Sequence, residues 1–200
     1  IEITSNNPSL EDEENLAYKA AQLLKEEYNV KSGVKIHLEK NIPVSSGLGG
    51  GSSNAAATLI ALNKLWRLRI NEKTMISHAA ELGSDVPFFI TGQTAIVEGM
   101  GEKVKPLRKT VSINMILVNP GIKVSTSWAY KQFDKSKIKA RSTDINDLVK
   151  AINKKDIKKI SETAYNDFEM IIEKKISIVN EIKTYFKKFG ALNSLISGSG

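Results

Sequence analysis

Apolar residues recur at helical spacing over several long segments of the chain. In NLAYKAAQLLKEEY, residues 15–28, they lie three or four positions apart and so share one face of a helix. The same spacing returns at 54–66, directly after a run of glycines, and at 72–82. From 125 to 189 the pattern is mostly helical again. These four regions are the predicted helices.

Alternating and continuous apolar runs predict the strands. Residues 1–4 (IEIT) and 33–40 (GVKIHLEK) alternate between apolar and polar positions, as half-buried strands do. Glycines bound a third predicted strand at 94–98, and the near-continuous run SINMILVNPG at 112–121 predicts a buried one. ALNSLI, residues 191–196, is the last predicted strand.

The order of these elements favours an α+β fold over a regular parallel α/β sheet, because strands come first and helices dominate later. No internal repeat or low-complexity linker divides the chain. A change of pattern after Pro120 predicts two domains, 1–122 and 123–200.

Composition then narrows the function classes. The chain has 200 residues, a formal net charge of +7 and no cysteine, so disulfides, zinc–thiolate sites and thiol nucleophiles are excluded. No apolar run approaches the roughly 18 residues of a membrane span, and a cytoplasmic protein without a membrane partner is the expectation. Much of the positive charge lies at 131–159, mixed with acids and without interleaved aromatic residues. We interpret it as a solvated helical surface, not a nucleic-acid site.

The stretch IPVSSGLGGGSSNAAA places four glycines within five positions, directly before a predicted helix. Unpaired N–H groups and the positive end of the helix dipole make such a helix start an anion site, and Ser52, Ser53 and Asn54 occupy positions that favour capping. Neither common phosphate motif fits. A Walker A loop needs a lysine, and none occurs between Asn41 and Asn63; a dinucleotide fingerprint needs glycine where Ser52 stands.

The glycine stretch resembles the phosphate-binding motif of the GHMP kinase superfamily, which uses no Walker lysine. Further stretches resemble, in order, one family within it, the 4-diphosphocytidyl-2-C-methyl-D-erythritol kinases of isoprenoid precursor biosynthesis. They are NLAYKAA, EKNIPVSSGLGGGSSNAAATLIALNKLW, LGSDVPFFITGQTAIVEGMGE, VNPGIKVSTSWAY, NDFE and SLISGSG.

The resemblance implies a fold, a reaction and its ligands. The fold is two-lobed, with a strand-rich ATP-binding domain in which the glycine loop feeds a helix, and a mostly helical C-terminal domain with a small sheet. The reaction is phosphorylation of the 2-hydroxyl of the cytidyl substrate by ATP with Mg²⁺, whose ligands the sequence does not assign. We expect a monomer or weak homodimer.

The resemblance also implies site residues. Asp85 is expected to face the attacking hydroxyl, although from the sequence alone a helix or turn cap is favoured. Asn15, Leu16 and Lys40 are expected around the adenine, and Thr126 and Tyr130 at the substrate, with the tyrosine ring stacked on cytosine. SGSG, residues 197–200, is expected beside the phosphates. The phosphate-binding residues are Gly47, Leu48, Gly49, Gly50, Gly51, Ser52 and Ser53.

Other conspicuous residues are interpreted as structural. His37 and His78 have no acid or serine partner at suggestive spacing, and Trp66 and Trp128 are expected to pack. Members of the family open with an AKINL-like strand whose lysine contributes to the site, carry a GYH segment for nucleotide recognition, and continue past SGSG. Since the chain lacks these, we expect it to be truncated at both ends.

Two alternatives to this function stay open. One is a non-catalytic relative that binds nucleotide or RNA through its basic surface. The other is a homoserine- or mevalonate-type GHMP kinase, which SDVPFF and EGMGE disfavour.

Overall fold

The computed structural model describes residues 1–136 and 144–199. Residues 137–143, which belong to the basic segment interpreted above, and Gly200, the last residue of SGSG, lie outside the described residues. Within the described part, no helix is both long enough and apolar enough to cross a membrane.

The chain groups into two compact units. The first comprises Ile1–Val44 and Gly49–Leu107, and the second comprises Ser45–Leu48 and Arg108–Gly200. The predicted domain boundary at 122/123 therefore falls inside the second unit, and the two-domain division stays a prediction.

The first unit opens with a β-α-β arrangement. Strand β1 (Glu2–Ser5) pairs in parallel with β2 (Lys35–Leu38), and helix α1 (Leu16–Glu27) connects them. Parallel strands require such a crossover, because a tight turn can join only antiparallel ones. Ile3 lies opposite Ile36 in this register, and burial alternates along β2 as the sequence pattern predicts.

Three further helices complete the helical part of this unit: α2 (Gly50–Leu65), α3 (Glu72–Leu82) and α4 (Val86–Thr91). The side chain of Asn71 accepts a hydrogen bond from the Thr74 N–H and so caps α3. Small and branched apolar side chains from α1 to α4 form the core. Its buried members are Ala20, Ala21, Leu24, Ala55, Ala56, Leu59, Leu62, Met75, Ala79 and Val86.

An antiparallel hairpin ends the first unit. Strand β3 (Ala95–Glu98) pairs with β4 (Lys103–Pro106), with Val97 opposite Val104. Gly101 in the turn has a φ of 106°, and a Cβ there would lie 2.7 Å from the carbonyl carbon of Ser84. The hairpin turn thus packs directly on the backbone that precedes α4.

The regular elements described in the second unit are helices. Its helices are α5 (Thr126–Ser136), α6 (Ile145–Lys154), α7 (Ile157–Thr163), α8 (Glu169–Lys175) and α9 (Ser177–Lys188). A small core of Ala129, Ile172 and Ile176 joins α5 to the α8–α9 region.

The predicted helices and three of the strands are confirmed, but two strand predictions are wrong. Residues 112–121 form exposed irregular chain, with Met115 and Ile116 about three quarters exposed (76% and 75%), and 191–196 also form no strand. The expected small sheet is therefore absent from the described residues of the second unit. The α+β class is confirmed. Every described strand lies in the first unit, and the regular elements described in the second unit are helices. Even the first unit contains more helical than strand residues.

Candidate active site

Helix α2 begins at Gly50, four residues earlier than predicted. Ser52 and Ser53 consequently lie inside its first turn and do not cap it; Gly49, in the left-handed region with φ 66°, occupies the cap position without a side-chain hydrogen bond. The first helical hydrogen bond runs from the Ser53 N–H to the Gly49 carbonyl (2.8 Å). Among the described residues, the N–H groups of Gly50, Gly51 and Ser52 have no acceptor, so the helix start presents unpaired donors.

Close neighbours surround this helix start. A Cβ on Gly49 would lie 2.6 Å from Cζ of Phe89 in α4. On Gly50 it would lie 2.7 Å from Nζ of Lys40 and 3.0 Å from Cγ2 of Ile42, whereas on Gly51 the nearest atom belongs to Leu16, at 3.6 Å. Gly49 and Gly50 thus allow contacts that a side chain would prevent.

The structure brings two of the three predicted adenine-side residues, Leu16 and Lys40, to the start of α2. Asn15 instead caps α1: its Oδ1 accepts from the Ala17 N–H (2.9 Å) and its Nδ2 donates to the Leu10 carbonyl (2.8 Å). An adenine-contacting role for all three residues stays a prediction.

Asp85 occupies the cap position of α4 but does not act as a cap. Its side chain makes no capping hydrogen bond, and the residue is exposed. Gly101 of the hairpin packs on Ser84 just before it, and Phe89 one turn later lies against Gly49. The alternative that Asp85 is a simple cap is therefore wrong. Helix α4 begins next to Asp85 and contacts Gly49 of the glycine loop through Phe89.

The second unit contains the first glycine of the loop, Gly47, and its neighbour Leu48, together with SGSG. A Cβ on Gly47 (φ 68°) would meet the carbonyl oxygen of Ser197 and come within 2.9 Å of its carbon. The Ser197 hydroxyl donates to the Gly47 carbonyl (2.8 Å), and Thr126 Oγ1 lies 3.0 Å from Oγ of Ser199. Predicted phosphate-side and substrate-side residues thus meet at the described part of SGSG.

Two residues that the sequence did not single out hold this loop. Nδ2 of Asn166 donates to the carbonyls of Ile196 (2.9 Å) and Gly198 (2.7 Å), and Oε1 of Glu169 accepts from the Ile196 N–H (3.0 Å). The NDFE stretch contains both residues, but contacts about thirty positions apart leave no periodic signal.

Glu169 is fixed in turn by Lys183, which is partly buried and also reaches Glu173. Burial, the largest single cause, lowers the pKa of Lys183, but the hydrogen bonds and the negative charges of the two glutamates together outweigh it, so the pKa is raised. The ammonium therefore stays charged and keeps Glu169 oriented toward the SGSG backbone.

Tyr130 projects from α5 with 56% of its surface exposed, so the helical-core alternative is wrong. One contact orients its ring: Phe168 of NDFE meets it edge to face, with centroids 4.9 Å apart. An exposed ring held on one side by an aromatic neighbour leaves surface for stacking on a base. That role stays a prediction.

The histidines and tryptophans are structural, with one correction. His37 lies 2.9 Å from Thr4 Oγ1 across the β1–β2 pair, and the tryptophans pack beside the two cores. His78, however, does have an acid nearby: the Tyr28 hydroxyl lies 3.0 Å from its Nε2, and the Glu81 carboxylate lies 3.5 Å from its Nδ1, which makes no hydrogen bond within the described residues. The sequence analysis missed this i, i+3 spacing on α3, and the histidine is buried.

We predict that Gly47→Ala will lower the free energy of unfolding by about 2–5 kcal/mol. About 1–2 kcal/mol comes from an alanine in the left-handed region and 1–3 kcal/mol from overlap with the Ser197 backbone. Gly121→Ala is the matched control, because Gly121 also has positive φ (76°) but open space around its Cβ position. Urea unfolding measures both variants, and equal losses would show that SGSG does not lie against Gly47.

Comparison with known proteins places these features in a family. The family description "GHMP kinases N terminal domain" matches residues 15–93, which include α1, α2 and α4. Over all 200 residues the chain is 40% identical to a 4-diphosphocytidyl-2-C-methyl-D-erythritol kinase of Caldicellulosiruptor bescii, and it covers 70% of that relative.

Solved structures agree with this match. A crystal structure of a 4-(cytidine 5'-diphospho)-2C-methyl-D-erythritol kinase is 30% identical, with a TM-score of 0.77 over 99% of this chain and 70% of that one. A homoserine kinase from Cytophaga hutchinsonii, at 19% identity, has a TM-score of 0.67 over 99% of this chain and 69% of that one, and shares the fold.

Proposed function

Since the chain belongs to the GHMP kinase family, we propose that it transfers the γ-phosphoryl group of ATP to a hydroxyl of 4-diphosphocytidyl-2-C-methyl-D-erythritol, the 2-hydroxyl by family resemblance. The start of α2 carries the proposal: three unpaired N–H groups, no side-chain cap, and glycine at each point of close approach. Such a helix start binds phosphate through its donors and its dipole.

The first unit supplies the ATP side of the reaction. Gly50, Gly51 and Ser52 hold phosphate oxygens by their unpaired backbone N–H groups, and Gly49 and Ser53 close the turn around them. Leu16 lies at the same helix start for contact with the nucleotide. Gly47 and Leu48, which precede Gly49 in the chain, belong to the same proposed phosphate-binding loop. Fixed donors stabilise charge on the transferring group at little reorganisation cost, which is the main demand of phosphoryl transfer.

Asp85 orients the acceptor hydroxyl. Its carboxylate makes no capping bond and so has lone pairs available for the hydroxyl proton. The hydroxyl oxygen forms the new bond to the γ-phosphorus as the bond from that phosphorus to the β,γ-bridging oxygen breaks, which leaves ADP. The proton passes to the carboxylate as the new phosphate ester forms.

Mg²⁺ is part of the proposal, and the described residues fit one mode of holding it. They contain no group of three histidine or acidic side chains that could hold a metal ion. Mg²⁺ dehydrates reluctantly and keeps several waters, so the ATP phosphates and water would be its main ligands, and Asp85 stays available to accept the hydroxyl proton. When bound, the ion neutralises charge on the phosphates.

We assign substrate binding to two residues of α5. The Tyr130 ring stacks on cytosine, and Thr126, fixed by Ser199, contacts the same substrate. This assignment corresponds to an ATP-binding domain over 1–122 and a C-terminal domain over 123–200. We further propose a cytoplasmic enzyme of isoprenoid precursor synthesis, a monomer or weak homodimer without a nucleic-acid or membrane partner.

Tyr130→Ala should raise the KM for the cytidyl substrate by about 5- to 150-fold, because base stacking on an aromatic ring contributes about 1–3 kcal/mol. The KM for ATP should change less than twofold. Tyr185→Ala is the control, since Tyr185 is also an exposed helical tyrosine beside a phenylalanine. Steady-state kinetics with each substrate varied separately gives both constants. Equal increases for the two substrates would mean that Tyr130 supports the fold and does not contact the base.

Competing alcohols test the reaction as a whole. Release of ADP is followed with the cytidyl substrate, homoserine and mevalonate, for this chain and for a chimera extended at both ends by the corresponding segments of the Caldicellulosiruptor bescii relative. We expect kcat/KM for the cytidyl substrate to exceed the others by at least about 100-fold. A preference for homoserine or mevalonate would assign another GHMP activity, and nucleotide binding without ADP release in either protein would favour the non-catalytic alternative.

A further inference from the structure

The described structure places the cationic side chain of Lys40 on the first turn of α2. Lys40 follows β2, and its Nζ donates to Oδ1 of Asn54 (3.0 Å), one turn into α2. Nζ also occupies the space beside Gly50, at 2.7 Å from where a Cβ would stand. The Lys40 backbone is itself anchored, because its N–H donates to Oδ1 of Asn6 (2.8 Å).

This is an unfavourable place for a cation. The N-terminus of a helix carries partial positive charge, and a positive group there is repelled, not stabilised. Partial burial lowers the pKa of Lys40, and no acidic side chain of the described residues contributes an opposing effect. An anion bound at the helix start would offset the charge of both the helix dipole and the ammonium group.

The sequence explains why a lysine from outside the loop is needed. A Walker A loop carries its own lysine toward the phosphates, whereas no lysine occurs between Asn41 and Asn63. Lys40 is the last lysine before this lysine-free segment, and the fold brings its side chain to the glycines at the start of α2.

We propose that the Lys40 side chain contacts the phosphates of ATP, not the adenine, and that Asn54 is the positioning residue that holds it there. The proposal rests on the proposed function, since it requires nucleotide at the start of α2. It gives Gly50 a second purpose, because any Cβ there would displace the ammonium group.

Inorganic tripolyphosphate separates the two roles of Lys40, because it has phosphates and no base. Calorimetry measures its dissociation constant, and that of ATP, for the wild type and for Lys40→Met. We expect Lys40→Met to weaken both ligands by about 10- to 100-fold, the loss of a hydrogen bond to a charged group. Lys40→Arg, which retains the charge, should recover most of the affinity. Unchanged tripolyphosphate affinity with weakened ATP binding would return Lys40 to the adenine, and unchanged affinity for both would overturn the proposal.

Further variants isolate the positioning role and the net charge. Asn54→Asp should weaken tripolyphosphate as much as Lys40→Met does, because the new carboxylate pairs with Lys40 and also repels the anion; Asn54→Ala should lose less. If both Asn54 variants bind tripolyphosphate as well as the wild type does, the positioning role of Asn54 is overturned.

Lys35→Met is the control for net charge, because Lys35 is exposed on β2 and pairs only with Glu2 in the described structure. If Lys35→Met weakens tripolyphosphate binding as much as Lys40→Met does, the effect reflects net charge and not a contact made by Lys40, and the proposal is overturned. If the folded wild type binds neither ATP nor tripolyphosphate, the proposed function fails, and this inference with it.

Discussion

Replacing Asp85 with asparagine should lower kcat by about 10²–10⁴-fold, the range that positioned proton transfer supplies. Asparagine has nearly the same shape but cannot accept the hydroxyl proton, so the loss belongs to the transition state. The KM for ATP should barely change, because backbone donors at the start of α2 hold the phosphates. The thermal midpoint should also be preserved, since the Asp85 side chain caps nothing in the structure.

Asp156→Asn is the matched control for this prediction. Asp156 is likewise an exposed aspartate at a helix cap, but it does cap its helix, by accepting a hydrogen bond from the Lys159 N–H (2.9 Å). Asparagine caps equally well, so both turnover and stability should be kept. The kinetics are measured in the chain and in the extended chimera. Wild-type turnover in Asp85→Asn would remove the catalytic assignment.

Replacing Gly50 with valine should weaken ATP binding by at least about 100-fold while leaving a folded protein. The new side chain overlaps Nζ of Lys40 and Cγ2 of Ile42 and covers the donors of the first turn. Losing two hydrogen bonds to a charged ligand accounts for a factor of this size. The fold should survive because Gly50 has no positive φ and Lys40 can swing aside.

The Gly33→Val variant provides the comparison, since Gly33 also lacks positive φ and has nothing within 4 Å of its Cβ position. Its ATP affinity should equal that of the wild type. Calorimetric titration gives both dissociation constants, and circular dichroism confirms that each variant is folded. Normal ATP binding by a folded Gly50→Val protein would place the phosphates somewhere else.

The sequence predicted helix bounds well where capping and terminating residues occur at the helix ends. Helix α3 was predicted with its observed bounds, because Asn71 caps its start and Gly83 follows its end. Helix α2 was predicted too short, because glycines were assigned to a loop. Helix α4 was not predicted; it is short, and its first turn contains Pro87, a residue that is tolerated there although it disfavours a helix elsewhere.

What the sequence could not predict depends on contacts between distant residues. An apolar run such as 112–121 indicates a strand only if a partner strand lies beside it, and periodicity carries no information about partners. The hydrogen bond from Asn166 to the Ile196 carbonyl beside SGSG and the contact of Lys40 with Gly50 are likewise contacts that periodicity does not indicate. Asp85 itself was identified through family resemblance; its free carboxylate emerged only from the structure.

Product analysis tests the central claim most directly. The protein, as the chain and as the extended chimera, is incubated with ATP, Mg²⁺ and 4-diphosphocytidyl-2-C-methyl-D-erythritol, and the phosphorus compounds are identified by ³¹P NMR. The kinase assignment predicts one new phosphomonoester signal that grows in step with ADP and is nearly abolished by Asp85→Asn. If both proteins bind ATP yet form no phosphomonoester, or form it equally well with Asp85→Asn, the proposed mechanism is contradicted.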